Sequence, residues 1–457
     1  MLVCKKLKWS VFVLIGMSLL VGGLWTRGKS FRLAQEGKKL DPVSQLLHQA
    51  APAPWSRTER DLATLQQLVR DHPKSSRNHT RLGEAYLQKA RETGDPGYLT
   101  KAETLFQKSL ELDRQDFEAM AGMGSLCLSR HNFWEALRWG ERGLAINPWS
   151  SDLYGIIGDA CVELGEYERA IRTFQKMIDL KPQLSSYSRV SYIRELHGDI
   201  DGAIQAMQMA VASGAPSRES TAWCQVQLGH LYFNEGNYRL AEQEYQMALK
   251  RLPQYVHALA GLARLRMAQN SLEEGLHLYT RVVAAMPLPE YVIALGDLYQ
   301  VLGKQDLAKQ QYDLVRAMHE LYRANGVDTE MEMALFKADH ELNIAESLEE
   351  AKHQIKKQPN IKATDVLAWT LYKAGQYEQA KVAMQQALRL GTKDPLLLYH
   401  AGMIYSKAGE TGKAKDYLNQ ALKQNPHFSI RYAPDARRTL DELRSKTPAQ
   451  CSQLSKG

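Results

Sequence analysis

Two histidines are considered as candidates for acid–base or metal chemistry. His340 follows Asp339, and His197 precedes Gly198. Acid–base or metal chemistry needs a nucleophile or a second ligand held at a defined distance. Neither histidine has such a neighbour at the required spacing in the sequence. Both are therefore interpreted as ordinary helix residues.

Other catalytic patterns are incomplete or missing. Gly122-Met-Gly124 is part of a dinucleotide-loop pattern, but it lies inside a helical hairpin and does not follow a strand. The sequence has no Gly-x-Ser-x-Gly, Cys-x-x-Cys or His-Glu-x-x-His motif. We therefore expect no enzymatic activity, no cofactor and no metal. The residues that matter must be binding residues, and a repeated element positions them.

A small residue returns along most of the chain at a nearly constant interval, usually 33 or 34 residues. This is the period of a two-helix repeat unit. Proteins built from such units bind other proteins and rarely catalyse reactions. The recurring positions are Ala102, Ala136, Ala170, Ala203, Ala241, Gly275, Ala308, Ala345, Ala380 and Ala414.

Other markers keep the same phase. A glycine lies twelve residues before the small residue, at Gly124, Gly158, Gly229, Gly296 and Gly402. A proline lies twelve residues after it, at Pro148, Pro182, Pro253, Pro287 and Pro426. Amphipathic stretches between these markers predict two helices per unit, which cross closely where the residues are small. A further glycine ends the first helix, because glycine tolerates the left-handed cap conformation: Gly165, Gly198, Gly236, Gly303, Gly375 and Gly409.

One unit carries nearly the full marker set of the tetratricopeptide repeat family, which the chain resembles over about residues 58–427. Its markers are Leu228, Gly229, Tyr232, Gly236, Tyr238, Ala241, Tyr245, Ala248 and Pro253. The resemblance implies an all-α, right-handed superhelical solenoid of about nine or ten helical hairpins. In its order of parts, the chain also resembles bacterial membrane-anchored tetratricopeptide proteins of unassigned role.

Some units depart from the pattern. Ser191 and Ala263 replace the first glycine, and the unit around Ala345 lacks it. The first unit contains an extra stretch, Lys89 to Leu99, whose turn residues predict a longer loop inside its hairpin.

The net charge of +7 is concentrated at the N-terminus. Residues 1–40 contain eight basic residues and one acid, which leaves 50 basic and 50 acidic residues in the remainder. A nucleic-acid interface needs a surplus of lysine and arginine on one face. We therefore expect no nucleic-acid partner.

The basic cluster brackets an uncharged apolar run, residues 9–26, which is just long enough to cross a bilayer as one transmembrane helix. Trp9 and Trp25 stand near its ends, where indole favours the membrane interface. A cleaved signal peptide is the competing interpretation, since Lys5, Lys6 and Lys8 precede the run. We favour a single-pass anchor.

Two features of the sequence disagree about the side of the membrane on which the array lies. Five basic residues after the span favour a cytoplasmic array, whereas the likeness to a secretion signal favours the opposite side. We expect an extracytoplasmic array. The predicted domain order is a basic flank (1–8), the anchor (9–26), a basic and Pro/Ala linker (27–57), a capping helix (58–73), the solenoid (74–430), and a C-terminal capping helix with a tail (431–457).

The family resemblance implies that the first helices of the units line a concave groove that binds a protein or peptide partner. Exposed aromatic residues and arginines are common interface anchors. Alternatively, Trp223 and Trp369 only pack against adjacent helices. The candidate contact residues are Arg189, Tyr192, Trp223, His230, Phe233, Arg264, Asp297, Trp369, Tyr372 and Lys373.

Some family members grip a C-terminal carboxylate with lysines and asparagines on successive first helices. Asp152, Asp159 and Glu163 occupy that region in the early units. Because like charges repel, we expect no such clamp and favour a cationic or mixed partner segment.

These features predict a membrane-tethered scaffold or adaptor that recruits partner proteins through its groove. Two alternatives stay open: a secreted or periplasmic chaperone-like holdase, and a docking subunit for a separately encoded enzyme.

Overall fold

A computed structural model describes residues 57–445, which form 22 α-helices and contain no strand. In chain order the helices are α1 Arg57–Asp71, α2 Ser76–Thr93, α3 Gly97–Leu112, α4 Phe117–Ser129, α5 Phe133–Ile146, α6 Ser151–Glu163, α7 Tyr167–Leu180, α8 Leu184–Leu196, α9 Ile200–Ser213, α10 Glu219–Asn234, α11 Tyr238–Arg251, α12 Val256–Ala268, α13 Leu272–Ala285, α14 Pro289–Val301, α15 Gln305–Ala324, α16 Glu330–Asp339, α17 Ile344–Lys357, α18 Ile361–Lys373, α19 Tyr377–Ala387, α20 Pro395–Lys407, α21 Thr411–Gln424 and α22 Tyr432–Ser445. Helices α2 to α21 pair in order into ten hairpins, which we number units 1 to 10. The all-α prediction is confirmed for these residues.

Small residues allow the two helices of each hairpin to approach closely, as the sequence pattern predicts. Ala136 and Ala170 are completely buried. A Cβ atom added at Gly158 would lie 2.2 Å from the ring of Phe174 in the second helix of the same unit. Any side chain at this position would therefore hold the two helices apart.

Unit 8 corrects the predicted register. Ala345 is exposed, and Ser347 occupies the buried crossing instead. Its hydroxyl donates a 2.7 Å hydrogen bond to the carbonyl oxygen of Ala334, which satisfies the only polar group brought into the crossing. The turn before α17 also differs from the others, because Glu341 and Asn343 both adopt positive φ.

Unit 1 corrects the predicted long loop. Helix α2 continues to Thr93 and ends at Gly94, whose φ is 70°. Helix α3 begins at Gly97, so only residues 94–96 connect the two. The extra stretch therefore lengthens the helices, because it contains good helix formers and its turn residues are confined to four positions.

The glycines predicted to end the first helices all have φ between 71° and 79°. Units 2 and 6 lack a glycine there, and His131 and Asn270 adopt the same left-handed conformation at φ 59° and 62°. An L-residue in this region is strained by roughly 1 kcal/mol. The unit therefore enforces this turn even where its residue is unfavourable.

The units coil so that the early ones contact the late ones directly. The turn inside unit 3 meets the connection before unit 9: Asn360 donates a 3.0 Å hydrogen bond to the carbonyl oxygen of Glu163, and the Tyr167 hydroxyl accepts one from the Ile361 amide at 2.8 Å. The contacting residues are 194 and 197 positions apart in the sequence. We call this line of contacts between the two turns of the superhelix the seam.

The seam repeats along the array. In unit 2, the His131 ring lies 2.6 Å from the carbonyl oxygen of Asp328. In unit 5, Asn425 donates a 2.7 Å hydrogen bond to the carbonyl oxygen of Phe233, 192 positions earlier. Asn360 and Asn425 are 3% and 0% exposed, so the seam is a packed interface.

Helices α1 and α22 lie where capping helices are predicted. Leu62 and Leu65 of α1 pack against Leu82 of unit 1, and Leu440 of α22 is buried against unit 10. Terminal helices of this kind cover apolar faces that have no further unit to contact. The predicted flank (1–8), anchor (9–26), most of the linker (27–57) and the tail from residue 446 lie outside the described residues. No helix within residues 57–445 is both long and apolar enough to cross a bilayer.

Candidate functional site

The first helices of successive units face one another around the inside of the superhelix. Contacts between neighbouring first helices identify this inner surface: Arg189 of α8 bonds Asp159 of α6, and Arg264 of α12 covers Phe233 of α10. The residue that follows each marker glycine, or its replacement, belongs to this surface. Those residues are Glu84, Ser125, Asp159, Tyr192, His230, Arg264, Asp297 and Trp369.

The inner surface of units 1 to 3 is acidic. Burial, together with the neighbouring Glu118, Asp152 and Asp116 carboxylates, raises the pKa of Glu84 to about 7. Arg81 lowers it only in part. A raised carboxyl pKa means that the ionised form is disfavoured where the surface is empty. A partner that brought positive charge would relieve this repulsion.

Arg189 does not offer a free positive charge in unit 4. Its guanidinium bonds both carboxylate oxygens of Asp159, at 2.9 and 2.7 Å, and donates to the carbonyl oxygen of Ser185 at 2.9 Å. A bidentate pair of this kind is held firmly in one geometry. The candidate Arg189 is therefore neutralised, and it reduces the acidic character of the early units at Asp159.

Tyr192 lies where the inner surface meets the seam. The ammonium group of Lys362, from unit 9, is 5.0 Å from the centre of the Tyr192 ring. Tyr192 and the Glu163 carboxylate raise the pKa of Lys362, whereas burial raises the pKa of Glu195 to about 7 despite this lysine. Lys362 is accessible to water but enclosed by both turns. This charged cluster was not identified from the sequence, because its members are separated by up to 199 positions.

The three candidates of unit 5 differ in accessibility. Trp223 is 41% exposed. Phe233 is completely buried under the Arg264 guanidinium, whose carbon lies 4.1 Å from the centre of the ring. His230 lies 2.8 Å from the Tyr245 hydroxyl, and burial, with help from Arg264, lowers its pKa to about 3. Of these, only Trp223 presents an apolar surface to solvent.

Several hydrogen-bonding groups surround the carboxylate of Asp297 in unit 7. Its Oδ1 accepts from the Tyr312 hydroxyl at 2.8 Å and lies 2.8 Å from His340 Nε2 and 3.2 Å from Arg431 Nη1. His340 is therefore part of a polar cluster on the inner surface. The sequence analysis interpreted it as an ordinary helix residue. The sequence also failed to identify Arg431, which lies 134 positions from Asp297.

The unit 9 candidates form a stack. Trp369 is 1% exposed, donates to Asp339 Oδ1 at 2.8 Å, and stacks on Tyr372 and His400 with ring centres 4.8 and 4.1 Å away. Lys373 lies over the Trp369 ring and pairs with Glu341 at 3.0 Å. Phe233 and Trp369 are thus covered by neighbouring helices, and for Trp369 this is the alternative that the sequence analysis left open. Their contact with a partner stays a prediction.

The candidates therefore do not form one continuous exposed surface. Arg264, Asp297 and Trp369 lie together in the second half of the superhelix, whereas Arg189 and Tyr192 lie in the first half. The sequence reasoning missed Glu84, although Glu84 follows Gly83 in the same way that Asp159 follows Gly158. Within residues 57–445 no three histidine, cysteine or acidic side chains are grouped to hold a metal ion.

The fold defines a helical-repeat solenoid whose first helices line its inner surface. Three tetratricopeptide repeat family models match the chain, over residues 151–184, 226–288 and 371–434. The chain is a tetratricopeptide repeat protein.

Curated relatives are distant and much longer. The chain is 26% identical over 241 residues to cellulose synthase 1 operon protein C of Komagataeibacter xylinus, a match that covers 51% of this chain and 16% of that protein. It is 25% identical over 327 residues to mouse tetratricopeptide repeat protein 21A, covering 65% of this chain and 24% of that protein. The matches thus span less than a quarter of these relatives' own length.

Solved structures include similar helical repeats. A tetratricopeptide protein of Thermus thermophilus matches 42% of this chain and all of its own, with 22% identity and a TM-score of 0.38. The human IFIT1 dimer matches 80% of this chain and 87% of its own, with 14% identity and a TM-score of 0.45.

Proposed function

We propose that this protein is a scaffold that binds a cationic or mixed segment of a partner protein along the inner surface of units 1 to 4. The observation that carries the proposal is the group of carboxylates around Glu84: burial, and after it the charges of Glu118, Asp152 and Asp116, raise the pKa of Glu84 to about 7. Lysine or arginine side chains of a partner would restore ionisation and gain charge-assisted hydrogen bonds.

The location of the acidic surface supports this choice. Glu84, Glu118 and Asp152 come from three successive first helices, so a partner segment that runs along the array would meet a carboxylate in each unit. Repeat arrays present extended concave surfaces of this kind to their ligands. Trp223, at the next unit, offers an exposed apolar contact at the end of the acidic row.

The proposal includes attachment to a membrane through residues 9–26, with the array on the extracytoplasmic side. This part rests on the apolar run and the basic residues that flank it. A single anchor would hold the inner surface near the bilayer and restrict the search for a membrane-bound partner.

A second candidate function is docking of a separately encoded enzyme. The match to a protein named for a cellulose synthase operon favours it. In that case the cationic segment would belong to the enzyme, and the same surface would bind it.

The test is binding of fluorescent peptides of equal length, one rich in lysine and arginine and one rich in glutamate, to the full-length protein in detergent. We expect the basic peptide to bind more tightly, and Glu84→Gln together with Asp152→Asn to weaken it about tenfold, equivalent to about 1.4 kcal/mol. Glu168→Gln is the matched control, since Glu168 is exposed on a second helix.

Added salt should weaken the wild-type interaction, because exposed charges are screened. Equal binding of the acidic peptide would refute the proposal. So would an unchanged affinity for the basic peptide in the double variant. Suppression of client aggregation without any preference for basic segments would instead support the holdase alternative.

A further inference from the structure

Residues 425–432, which are the connection between α21 and α22 together with the first residue of α22, run across the inner surface of the second half. We call this segment the C-terminal connection. At its start it belongs to the seam: Asn425 is completely buried, donates to the carbonyl oxygen of Phe233 at 2.7 Å and accepts from the Tyr238 hydroxyl at 2.6 Å. Its first residue is therefore fixed on unit 5.

The middle of the C-terminal connection packs on apolar side chains. Phe428 is 5% exposed, and its ring centre lies 5.8 Å from that of Tyr399. Ile430 packs against the hydrophobic core shared by units 5 to 7. Arg264 lies 3.5 Å from the carbonyl oxygen of Phe428, so a candidate groove residue faces the chain's own backbone.

The end of the C-terminal connection reaches units 7 and 8. Arg431 lies 3.2 Å from Asp297 Oδ1 and donates to the carbonyl oxygen of Asp339 at 2.7 Å. Tyr432 donates to Asp339 Oδ1 at 2.6 Å and stacks on Tyr399, with ring centres 4.9 Å apart. The hydrogen-bonding partners Asp297 and Asp339 are 134 and 92 positions before Arg431. Hydrogen bonds of the seam in units 2, 3 and 5 instead join residues 187–197 positions apart. The C-terminal connection thus crosses the inner surface from unit 5 to units 7 and 8.

The contacts are those of a bound peptide. An aromatic side chain enters an apolar site, a guanidinium meets a carboxylate and a carbonyl oxygen, and a phenol donates to a second carboxylate. Aromatic residues and arginine are the usual anchors of such segments. Buried charge pairs of this type also select strongly against a segment that lacks the charge.

We infer that the C-terminal connection is an internal ligand, and that the site it fills on units 5 to 10 recognises segments with the pattern Phe-x-x-Arg-aromatic. A partner segment with this pattern would compete with residues 428–432 for Asp297, Asp339 and Tyr399. This inference concerns a different surface from the acidic one of units 1 to 4, so either can fail without the other.

Competition should be hard to observe in the wild-type protein. A covalently attached segment has an effective concentration in the millimolar range or above, so a free peptide competes poorly. Weakening the internal segment removes this advantage and leaves the site available.

The experiment measures binding of a fluorescent peptide with the sequence of residues 425–433 to the full-length protein by anisotropy. We expect Arg431→Ala to bind the peptide at least ten times more tightly than the wild type. Arg438→Ala is the matched control, since Arg438 bonds only Asp435 within α22 and should behave as wild type. A peptide with alanine in place of its arginine should not bind any of the three proteins.

Hydrogen exchange gives an independent readout. Arg431→Ala should speed exchange of the amides of residues 427–432, and added peptide should slow exchange in α14 and α16. If circular dichroism shows that Arg431→Ala loses helix content, Tyr432→Phe takes its place, because it removes only the hydroxyl that bonds Asp339. The inference is overturned if the folded variant binds the peptide no better than the wild type does, or if the arginine-free peptide binds equally well.

Discussion

The two turns of the superhelix use the same repeat position in different ways. Gly165 and Gly198, at the ends of first helices in units 3 and 4, face the other turn: an added Cβ would lie 2.5 Å from the Pro359 carbonyl oxygen and 2.3 Å from that of Gly391. Gly375 and Gly409, at the equivalent positions of units 9 and 10, have nothing within 4 Å. All four have φ between 72° and 79°. All four glycines thus meet the same backbone requirement, but of these only the two in the first turn also pack against the other turn.

The inner surface differs in the same way. In the first turn it carries carboxylates that repel one another around Glu84. In the second turn, the carboxylates of Asp297 and Asp339 are already paired with Arg431 and Tyr432. The carboxylates around Glu84 are therefore the ones that we propose bind a cation of a partner. In the second half, Arg431 of the chain itself already supplies the cation.

The largest expected effect separates the two tryptophans predicted as anchors. Trp369→Ala should lower the free energy of unfolding by about 3–5 kcal/mol, because it removes a buried ring and leaves Asp339 without one donor. Trp223→Ala should change it by no more than about 0.5 kcal/mol, since that ring is substantially exposed. Denaturant midpoints followed by circular dichroism measure both. Similar losses would show that the two halves are packed alike at this position.

The next effect tests the seam. Gly198→Ala should cost about 2–4 kcal/mol: about 1 kcal/mol for the left-handed backbone and the remainder for the clash with Gly391. Gly375→Ala should cost only the backbone part, about 1 kcal/mol, because its added methyl group meets open space. The difference in unfolding midpoint between these matched variants measures the seam. If both variants lose the same stability, the two turns do not contact each other in solution.

The smallest effect is the pH dependence that Glu84 contributes in the first turn. The pKa of Glu84 is about 7 in the folded protein, above its ordinary value of 4.5, so the folded state holds this proton more tightly than the unfolded state. The contribution of Glu84 to stability therefore falls as the pH rises from about 4.5 to about 7, and stays low above that.

Glu84→Gln should accordingly raise the free energy of unfolding at pH 8 and leave it nearly unchanged at pH 4. The increase should be no more than about 1 kcal/mol, because water screens charges at this accessible site. Glu168→Gln serves as the control, with no pH-dependent difference expected. A rise of equal size at both pH values would mean that charge repulsion is not the cause.

Much of the architecture could be predicted from residues within one unit. The crossing alanines, the marker glycines and the turn glycines define ten hairpins, and the structure places all but the marker of unit 8 as expected. That exception, Ala345, arose because the turn around Glu341 and Asn343 is longer and has no glycine to mark it. The turn residues Gly94 and Pro96 predict a longer loop in unit 1, whereas in the structure they form a connection of only three residues, 94–96.

The candidate site was predicted less well. Candidates such as His230 and Asp297 directly follow a marker glycine and lie on the inner surface, but the sequence did not predict which candidates would be covered. Phe233 and Trp369 are buried because side chains of neighbouring helices pack on them. Lys362 and Arg431 were missed because their partners, Glu163 and Asp297, are on other turns or units.

The sequence by itself determined the hairpin, its period and the chemistry of each inner position, because these depend on contacts within one unit of about 34 residues. Only the tertiary structure decided which turns meet along the seam, and that residues 425–432 fill the second half of the inner surface. Those contacts join residues 92–197 positions apart. They depend on small rotations that accumulate from unit to unit, and no individual residue specifies that sum.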